Sequence, residues 1–455
     1  MKLADRVAFS VSRSDRLIKH GARYWRIPLY SNAFYLMLGN GLGALLGFVF
    51  WAVAAHFYTT DAVGLIAAAI AAMAMLGSLS NLGLGIGLIR FLPGSGERTV
   101  PRINYSLTIV ILLSILLSVI FLLGLGTWSP ALIFFRRNAA AFIVFAIFTA
   151  ATAITGVIDS IFVALRHAGF VTARGLLFTG LKLVLAIMLA GVSQAYGIFN
   201  SWGAALCVSL ILSFFLFLPN LIHGYLPMPN LNWRGTGELM RYSLVNNLAN
   251  LLAGLPGQLL PMMLLSRLGA QANAYFYVAW QIMAALLLIP FSISTSLFAE
   301  GCHDERELMD NAWRSLGLAL AILVPLAIVI IVFSAFLLRI FGAAYAQNSS
   351  GLLQVLALSL FPVSVNQVFF TILRVQKRLK LLTALNGLIA LAALLISYLL
   401  LPAMGTLGAG VGWLAGQGLA ALWIIIGQGR NRMVWQKLSS LLSREVAEKN
   451  QEGGE

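Results

Sequence analysis

The stretch SNAFYLMLGNGLGALLGFVFWAVAAHFYTTDAVGLIAAAIAAMAMLGSLSNLGLGIGLIR, residues 31–90, decides the fold. It holds two apolar runs, residues 32–57 and 63–89, on either side of the polar corner Thr59-Thr60-Asp61. About 20 apolar residues rising 1.5 Å each span the ~30 Å hydrocarbon core of a bilayer, so each run predicts a membrane-crossing helix. Asn40, Gly41, Gly43 and Gly47 punctuate the first run, and Gly77, Asn81, Gly83, Gly85 and Gly87 the second. Small residues let helices approach closely where lipid offers no hydrophobic drive between them. The run Gly83-Leu84-Gly85-Ile86-Gly87 reads as packing rather than a phosphate cradle, because no strand precedes it within this apolar crossing.

The same pattern returns about 210 residues later. Leu38-Gly39-Asn40 falls on Leu248-Ala249-Asn250, and Gly43, Ala44 and Gly47 on Ala253, Gly254 and Gly257. The corner Asp61-Ala62-Val63-Gly64 then meets Gln271-Ala272-Asn273-Ala274 without a gap. Such a repeat suggests a transporter built from two halves, with a substrate site between them; the alternative is that any two Gly- and Leu-rich membrane helices can be slid into agreement.

Composition agrees with a membrane chain. Of 455 residues, 60% are hydrophobic and 10% charged, with a mean hydropathy of +0.90; soluble globules carry about 25% charged residues. The expectation is an all-α polytopic membrane protein with about 12 transmembrane helices. Beyond the first two they cover residues 103–125, 139–165, 175–191, 198–218, 239–265, 275–299, 316–338, 352–373, 381–401 and 407–426. The net charge of +15 sits between the apolar runs, so it answers to membrane topology and not to nucleic acid. With twelve crossings, 25 of the 30 Lys and Arg fall on one side and four on the other, with Lys182 inside a helix. The positive-inside rule puts both termini in the cytoplasm of a multi-pass protein of the inner (plasma) membrane.

The domains expected are a basic amphipathic segment at 1–30 lying on the anionic inner leaflet, a six-helix bundle at 31–219, a linker at 220–238, a second six-helix bundle at 239–428 and a cytoplasmic tail at 429–455. The seventh segment carries Gly254, Pro256, Gly257 and Pro261, an expected hinge, since proline and glycine in a spanning helix free backbone carbonyls.

Two cysteines, Cys207 and Cys302, suit neither a disulfide framework nor a metal site. No nucleotide fingerprint or hydrolytic constellation appears, so the expectation is a protein that is not an enzyme and needs no cofactor or metal. Charges inside spanning helices are costly enough to be functional by default. Asp159 lies seven residues before Arg166 and Lys182 eight residues after Arg174, each about 10–12 Å inside the expected boundary if those arginines mark it. Asp159 and Lys182 are therefore read as able to face each other, Lys182 drawing in an anionic substrate and Asp159 serving as an ion-coupling site. The bland reading of both is a structural ion pair or a snorkelling lysine. Amides at Asn40, Asn81, Asn246, Asn247, Asn250, Gln258, Gln281, Asn366, Gln367, Asn386 and Gln417, with Tyr35, Tyr275, Tyr277 and Trp280, suit a cavity for sugar hydroxyls or hydrogen-bonding glue between helices. Asn250 and Gln281 are the preferred lining residues. His56 and Asp61, at the outer ends of the first two helices, read as a gate or as solvated boundary residues.

Three stretches carry a family resemblance: the corner Thr60-Asp61-Ala62-Val63-Gly64, the run Leu82-Gly83-Leu84 leading to Arg90, and Gly405-Thr406-Leu407-Gly408-Ala409-Gly410 opening the last helix. With Gln367 to Arg374, the basic turn Lys377 to Lys380 and Asn386, they make the chain resemble the O-antigen flippase type of polysaccharide-biosynthesis protein. That type belongs to the superfamily of multidrug, oligosaccharidyl-lipid and polysaccharide exporters. The resemblance covers almost the whole chain through diffuse glycine and hydropathy patterns. It implies two six-helix bundles around a central cavity open alternately to each side, with the first and seventh helices bending. It implies a polyprenyl-pyrophosphate-linked oligosaccharide as substrate, moved from the inner to the outer leaflet for surface polysaccharides such as lipopolysaccharide. A polysaccharide polymerase and glycosyltransferases would be partners. Lys182, Arg90, Arg166 and Arg174 would then meet the pyrophosphate, and Asn40, Asn250, Gln281 and Trp280 the glycan.

The alternatives are a cation-coupled multidrug exporter of the same fold, a lipid II flippase, and a non-transporting scaffold. The first would carry acids facing its cavity. The second usually has two further helices and more cavity charge. The third needs neither a hinge nor a wet interior.

Overall fold

The computed structural model describes residues 28–191, 194–232, 237–303 and 307–427. The basic segment before residue 28 and the tail from 428 lie outside the described residues, as does the part of the linker at 233–236. Twelve helices among the described residues are long and apolar enough to cross a membrane. They are α1 (Pro28–Phe57), α2 (Thr60–Asn81), α3 (Thr99–Leu123), α4 (Ala139–Ala164), α5 (Ala168–Leu189), α6 (Gln194–Leu212), α7 (Gly237–Leu268), α8 (Ala270–His303), α9 (Leu308–Arg339), α10 (Ala343–Leu358, resuming as Leu360–Val375), α11 (Leu379–Met404) and α12 (Thr406–Gly427). The expectation of an all-α chain with about twelve membrane-crossing helices is met among the described residues. The chain forms two compact units, one reaching Val278 and taking in Arg339–Tyr345, the other holding Ala279–Leu338 and the chain from Ala346 onward.

In the first unit α2 is the buried axle, packed by α3, α4, α6 and α7. Its alanines and glycines make that possible: Ala67, Ala68, Ala69 and Ala72 are fully buried, so four neighbours reach its backbone. Thr59 caps its start, its hydroxyl accepting from the Ala62 amide at 3.3 Å. At the same corner Gly64 lies so close to α8 that a Cβ there would sit 1.8 Å from the Ala270 carbonyl oxygen. Asn273 donates to the Gly64 carbonyl at 2.7 Å, and Gln271 to the Asp61 carboxylate at 3.3 Å. Asp61 and Gln271 are 210 positions apart, the offset of the repeat.

The second crossing is not one helix, as its hydropathy suggested. It breaks at Leu82 and Gly83, both left-handed at φ 50° and 74°, and resumes as Leu84–Phe91. Gly83 also meets α7 directly: a Cβ there would stand 2.5 Å from the Ser243 carbonyl oxygen. Gly83→Ala should therefore cost about 1–3 kcal/mol, the usual cost of a left-handed non-glycine residue, with the neighbour contact added to it. Thermal unfolding of the purified protein measures this, and an unchanged midpoint would contradict it.

The first part of the expected linker is strapped along the start of α3. Asn104 donates to the Leu226 carbonyl at 3.0 Å and accepts from the Tyr225 hydroxyl at 3.1 Å; the Asn230 amide donates to Thr108 at 2.9 Å and its side chain to the Pro101 carbonyl at 3.1 Å. Burial in this strap pushes the Tyr225 phenol pKa up.

In the second unit α9 carries Pro325 and kinks at Phe333. The Gln354 amide of α10 donates to the Ile331 carbonyl at 3.2 Å and to Ser334 at 3.1 Å, satisfying an acceptor next to the kink, as lipid requires. Asn366 donates to the Gln417 carbonyl and side chain at 3.0 and 2.7 Å, tying α10 to α12. These amides are interhelical glue, worth about 0.6 kcal/mol apiece. The seventh crossing, expected to be interrupted, is helical from Gly237 to Leu268 with Pro256 and Pro261 inside it.

Candidate functional site

Two features of the first unit bear on function: a charged strip on α4 and α5, and a cavity among α2, α4 and α7. The strip exists because α5 begins at Ala168, about two turns earlier than its hydropathy suggested. Arg174 is thereby inside the helix and buried, rather than at its end. Its guanidinium reaches Asp159 of α4 in a two-pronged pair, Nε to Oδ1 at 2.7 Å and Nη2 to Oδ2 at 2.6 Å. Such a fork is the strongest geometry a carboxylate can make with arginine, and it removes most of the cost of holding either charge away from water. Among the described residues it is the one salt bridge.

Asp159 therefore faces Arg174, and the expected approach of Asp159 to Lys182 does not occur. Lys182 follows Arg174 by eight residues, about 12 Å further along α5, and is buried at 7% exposure. Its ammonium lies over two ring faces, 4.6 Å from the Phe50 centroid and 4.9 Å from that of Phe178. Ring quadrupoles attract a cation but carry no net charge. Asp159 and Arg174 cancel, so the embedded charge of α4 and α5 sums to the single positive charge of Lys182.

The cavity holds about 300 Å³, at the small end of ligand sites. Its polar lining is Ser78 and Asn81 from α2, Thr152 from α4, and Asn247, Asn250 and Gln258 from α7; the rest is Gly, Ala and Leu. Gln258 donates to the Ser78 hydroxyl at 3.1 Å, and Asn81 makes only long contacts, 3.5 Å each, to the Ala153 carbonyl and the Gly85 amide. No lining residue is ionisable.

Of the residues singled out in the sequence, Asn81, Asn247, Asn250 and Gln258 line this cavity. Asn40 is exposed on α1. Arg90 is exposed at the end of the Leu84–Phe91 helix, its guanidinium 4.4 Å over the Tyr242 ring, and Arg166 is exposed at a left-handed φ of 63°. Gln281 and Trp280 belong to the second unit, Gln281 half-buried and Trp280 edge-on to Trp413 at 5.1 Å. Tyr277 packs on Trp51 and Tyr275 on Tyr345. Of the gate candidates, His56 bonds its own helix at the Ala52 carbonyl and Asp61 meets Gln271. The hinge residues Gly254, Pro256, Gly257 and Pro261 lie on either side of Gln258 in α7 or just beyond it. Among the described residues no three His, Cys, Asp or Glu come together as metal ligands.

Reading the sequence alone left the grouping of Ser78, Asn81, Thr152, Asn247 and Gln258 unseen. A signal was available: Asn247, Asn250, Leu251 and Gln258 share one face of a helix at the 3.6 period, as do Ala74, Gly77, Ser78 and Asn81.

Comparison with known proteins bears on the fold. The MatE family model matches residues 248–399, about a third of the chain. A curated relative from Shigella flexneri named "Putative O-antigen transporter" is 26% identical over 149 residues, 32% of this chain. The chain spans about a third of that relative's length, 36%. Among solved structures, an inward-facing multidrug resistance MATE family transporter of the MOP superfamily aligns at a TM-score of 0.64 and 17% identity, covering 88% of this chain and 96% of that one. The lipid II flippase MurJ, in an inward closed conformation, aligns at 0.67 and 13%, covering 86% and 87%. This chain has the fold of these transporters, and the three comparisons support the resemblance to the flippase family read from its sequence.

Proposed function

We propose that this chain is a flippase that moves a polyprenyl-pyrophosphate-linked oligosaccharide from the inner to the outer leaflet by alternating access, for surface polysaccharide assembly. The observation that carries this reading is the sign of the embedded charge. A cation exporter of the same fold needs an unneutralised acid to receive its substrate, whereas Asp159 is cancelled by Arg174 and Lys182 remains as the surplus charge. An embedded ammonium without a carboxylate suits an anionic group such as a pyrophosphate, while the polyprenyl tail stays in hydrocarbon.

On this reading Lys182 is the inner anion-binding residue, with Arg90 and Arg166 exposed where they can meet the substrate early. Both termini face the cytoplasm, as the distribution of Lys and Arg argues. The repeats form two six-helix bundles, residues 31–219 and 239–428, that rock about α7 at Gly254 to Pro261. Asn40, Gln281 and Trp280 belong to the glycan path. Proton or cation coupling at Asp159 requires the Arg174 fork to open during the cycle. A polymerase and glycosyltransferases handle the product and the precursor.

The test is reconstitution of the full chain into vesicles holding a labelled polyprenyl-pyrophosphate oligosaccharide, read by accessibility of the label from each leaflet. Movement faster than in protein-free vesicles, without efflux of ethidium from loaded vesicles, is the expected result. Ethidium efflux with no glycolipid movement would make the chain a drug exporter instead.

A further inference from the structure

We infer that the cavity among α2, α4 and α7 is a subsite for an uncharged sugar residue, and that it selects neutral glycans over acidic ones. The inference rests on the flippase reading for its substrate, but its evidence is separate. The polar side chains of the lining are two hydroxyls and four amides, with no charge of either sign. The amides of Asn247 and Asn250 make no hydrogen bond among the described residues. Each offers two donors and one acceptor. Asn81 is held only by contacts at 3.5 Å, the outer limit of a hydrogen bond. A group that both donates and accepts at several points satisfies such a lining, and sugar hydroxyls do so.

The alternatives fit less well. A phosphate or a carboxylate would enter with no cation in the lining to pair with, and an organic cation would find no acid and no aromatic face. A uronic acid or a sialic acid placed here would keep its charge without a partner. The small residues set the room: at Gly156, only the Asn81 side-chain nitrogen, at 3.4 Å, stands within 4 Å of where a Cβ would be. A larger side chain at this position would therefore grow into the cavity and against Asn81.

The experiment uses the purified full chain with two trisaccharides that differ in one residue, glucose in one and glucuronic acid in the other. Binding is measured by calorimetry with the free glycans, and movement with the same glycans on polyprenyl pyrophosphate. The neutral glycan should bind about tenfold or more tightly, the worth of one or two hydrogen bonds kept against an unpaired charge. Gly156→Leu should reduce its binding by a similar factor. Asn247→Ala combined with Asn250→Ala, which removes the spare amides without filling the cavity, should do the same if Gly156→Leu fails to fold. Equal binding of the two glycans, or full binding by the folded variants, would overturn the inference. It would leave the flippase reading intact if the lipid-linked probes still cross. Selective, cavity-dependent binding without movement of either lipid-linked probe would support the subsite and sink the flippase reading.

Discussion

Lys182→Met is expected to stop glycolipid movement while leaving the protein folded. Methionine, one atom shorter, keeps the apolar stem that packs beside Phe50 and Phe178 and removes the charge. If the ammonium meets a pyrophosphate out of water, its loss costs about 2–5 kcal/mol of binding, or at least ~30-fold in rate at limiting substrate. Elution as a single species and an unfolding midpoint near that of the parent show that the fold survives. Lys182→Arg should recover part of the rate, because the charge returns in a different shape. A folded Lys182→Met protein that moves glycolipid at the parent rate would remove Lys182 from the substrate path.

The second large effect falls on stability. Asp159→Ala leaves the buried Arg174 guanidinium without its carboxylate, and an orphaned buried charge typically costs 3–5 kcal/mol. The Asp159 side chain keeps 26% of its exposure, so about 3 kcal/mol is the expected loss, read as a lower unfolding midpoint. The double variant Asp159→Leu with Arg174→Met should regain most of it, because an apolar pair of similar volume replaces an ion pair at little cost. No recovery in the double variant would mean that Arg174 has a use besides this pair. The coupling question is separable: Asp159→Asn can still accept from Arg174. If transport by this variant follows the ion gradient as the parent does, Asp159 is a structural partner. If the dependence on the gradient disappears, Asp159 is the coupling site.

These two effects rest on charges that the sequence displays but does not pair. Asp159, Arg174 and Lys182 are equally visible in a hydropathy reading, and an arginine next to an apolar run is most simply taken as the run's end. That rule failed at Arg174 because a carboxylate fifteen positions earlier offsets the cost of embedding it. The break at Leu82–Gly83 was hidden for a related reason. A left-handed turn inside an apolar stretch leaves no mark on hydropathy, and α7 packing at Ser243 holds it there. The amide cavity was half legible. Its four amides stand out in the sequence as intramembrane polar residues, but the hydroxyls of Ser78 and Thr152 do not, and the tyrosines and the tryptophan that the sequence sets beside Asn250 pack elsewhere.

The sequence by itself determined that the chain has twelve helices long and apolar enough to cross a bilayer. It also put the basic residues between the crossings. Each of these depends on the length, polarity or spacing of residues near one another in the chain, and lipid enforces them locally because every backbone group must be bonded within its own helix. Only the tertiary structure decided that Arg174 cancels Asp159, that Lys182 rests on ring faces, and that hydroxyls and amides of α2, α4 and α7 share one cavity. Those outcomes depend on how each helix is rotated and how far it is slid against its neighbours. In lipid that register is set by close packing of small residues from different helices, and no single segment carries it.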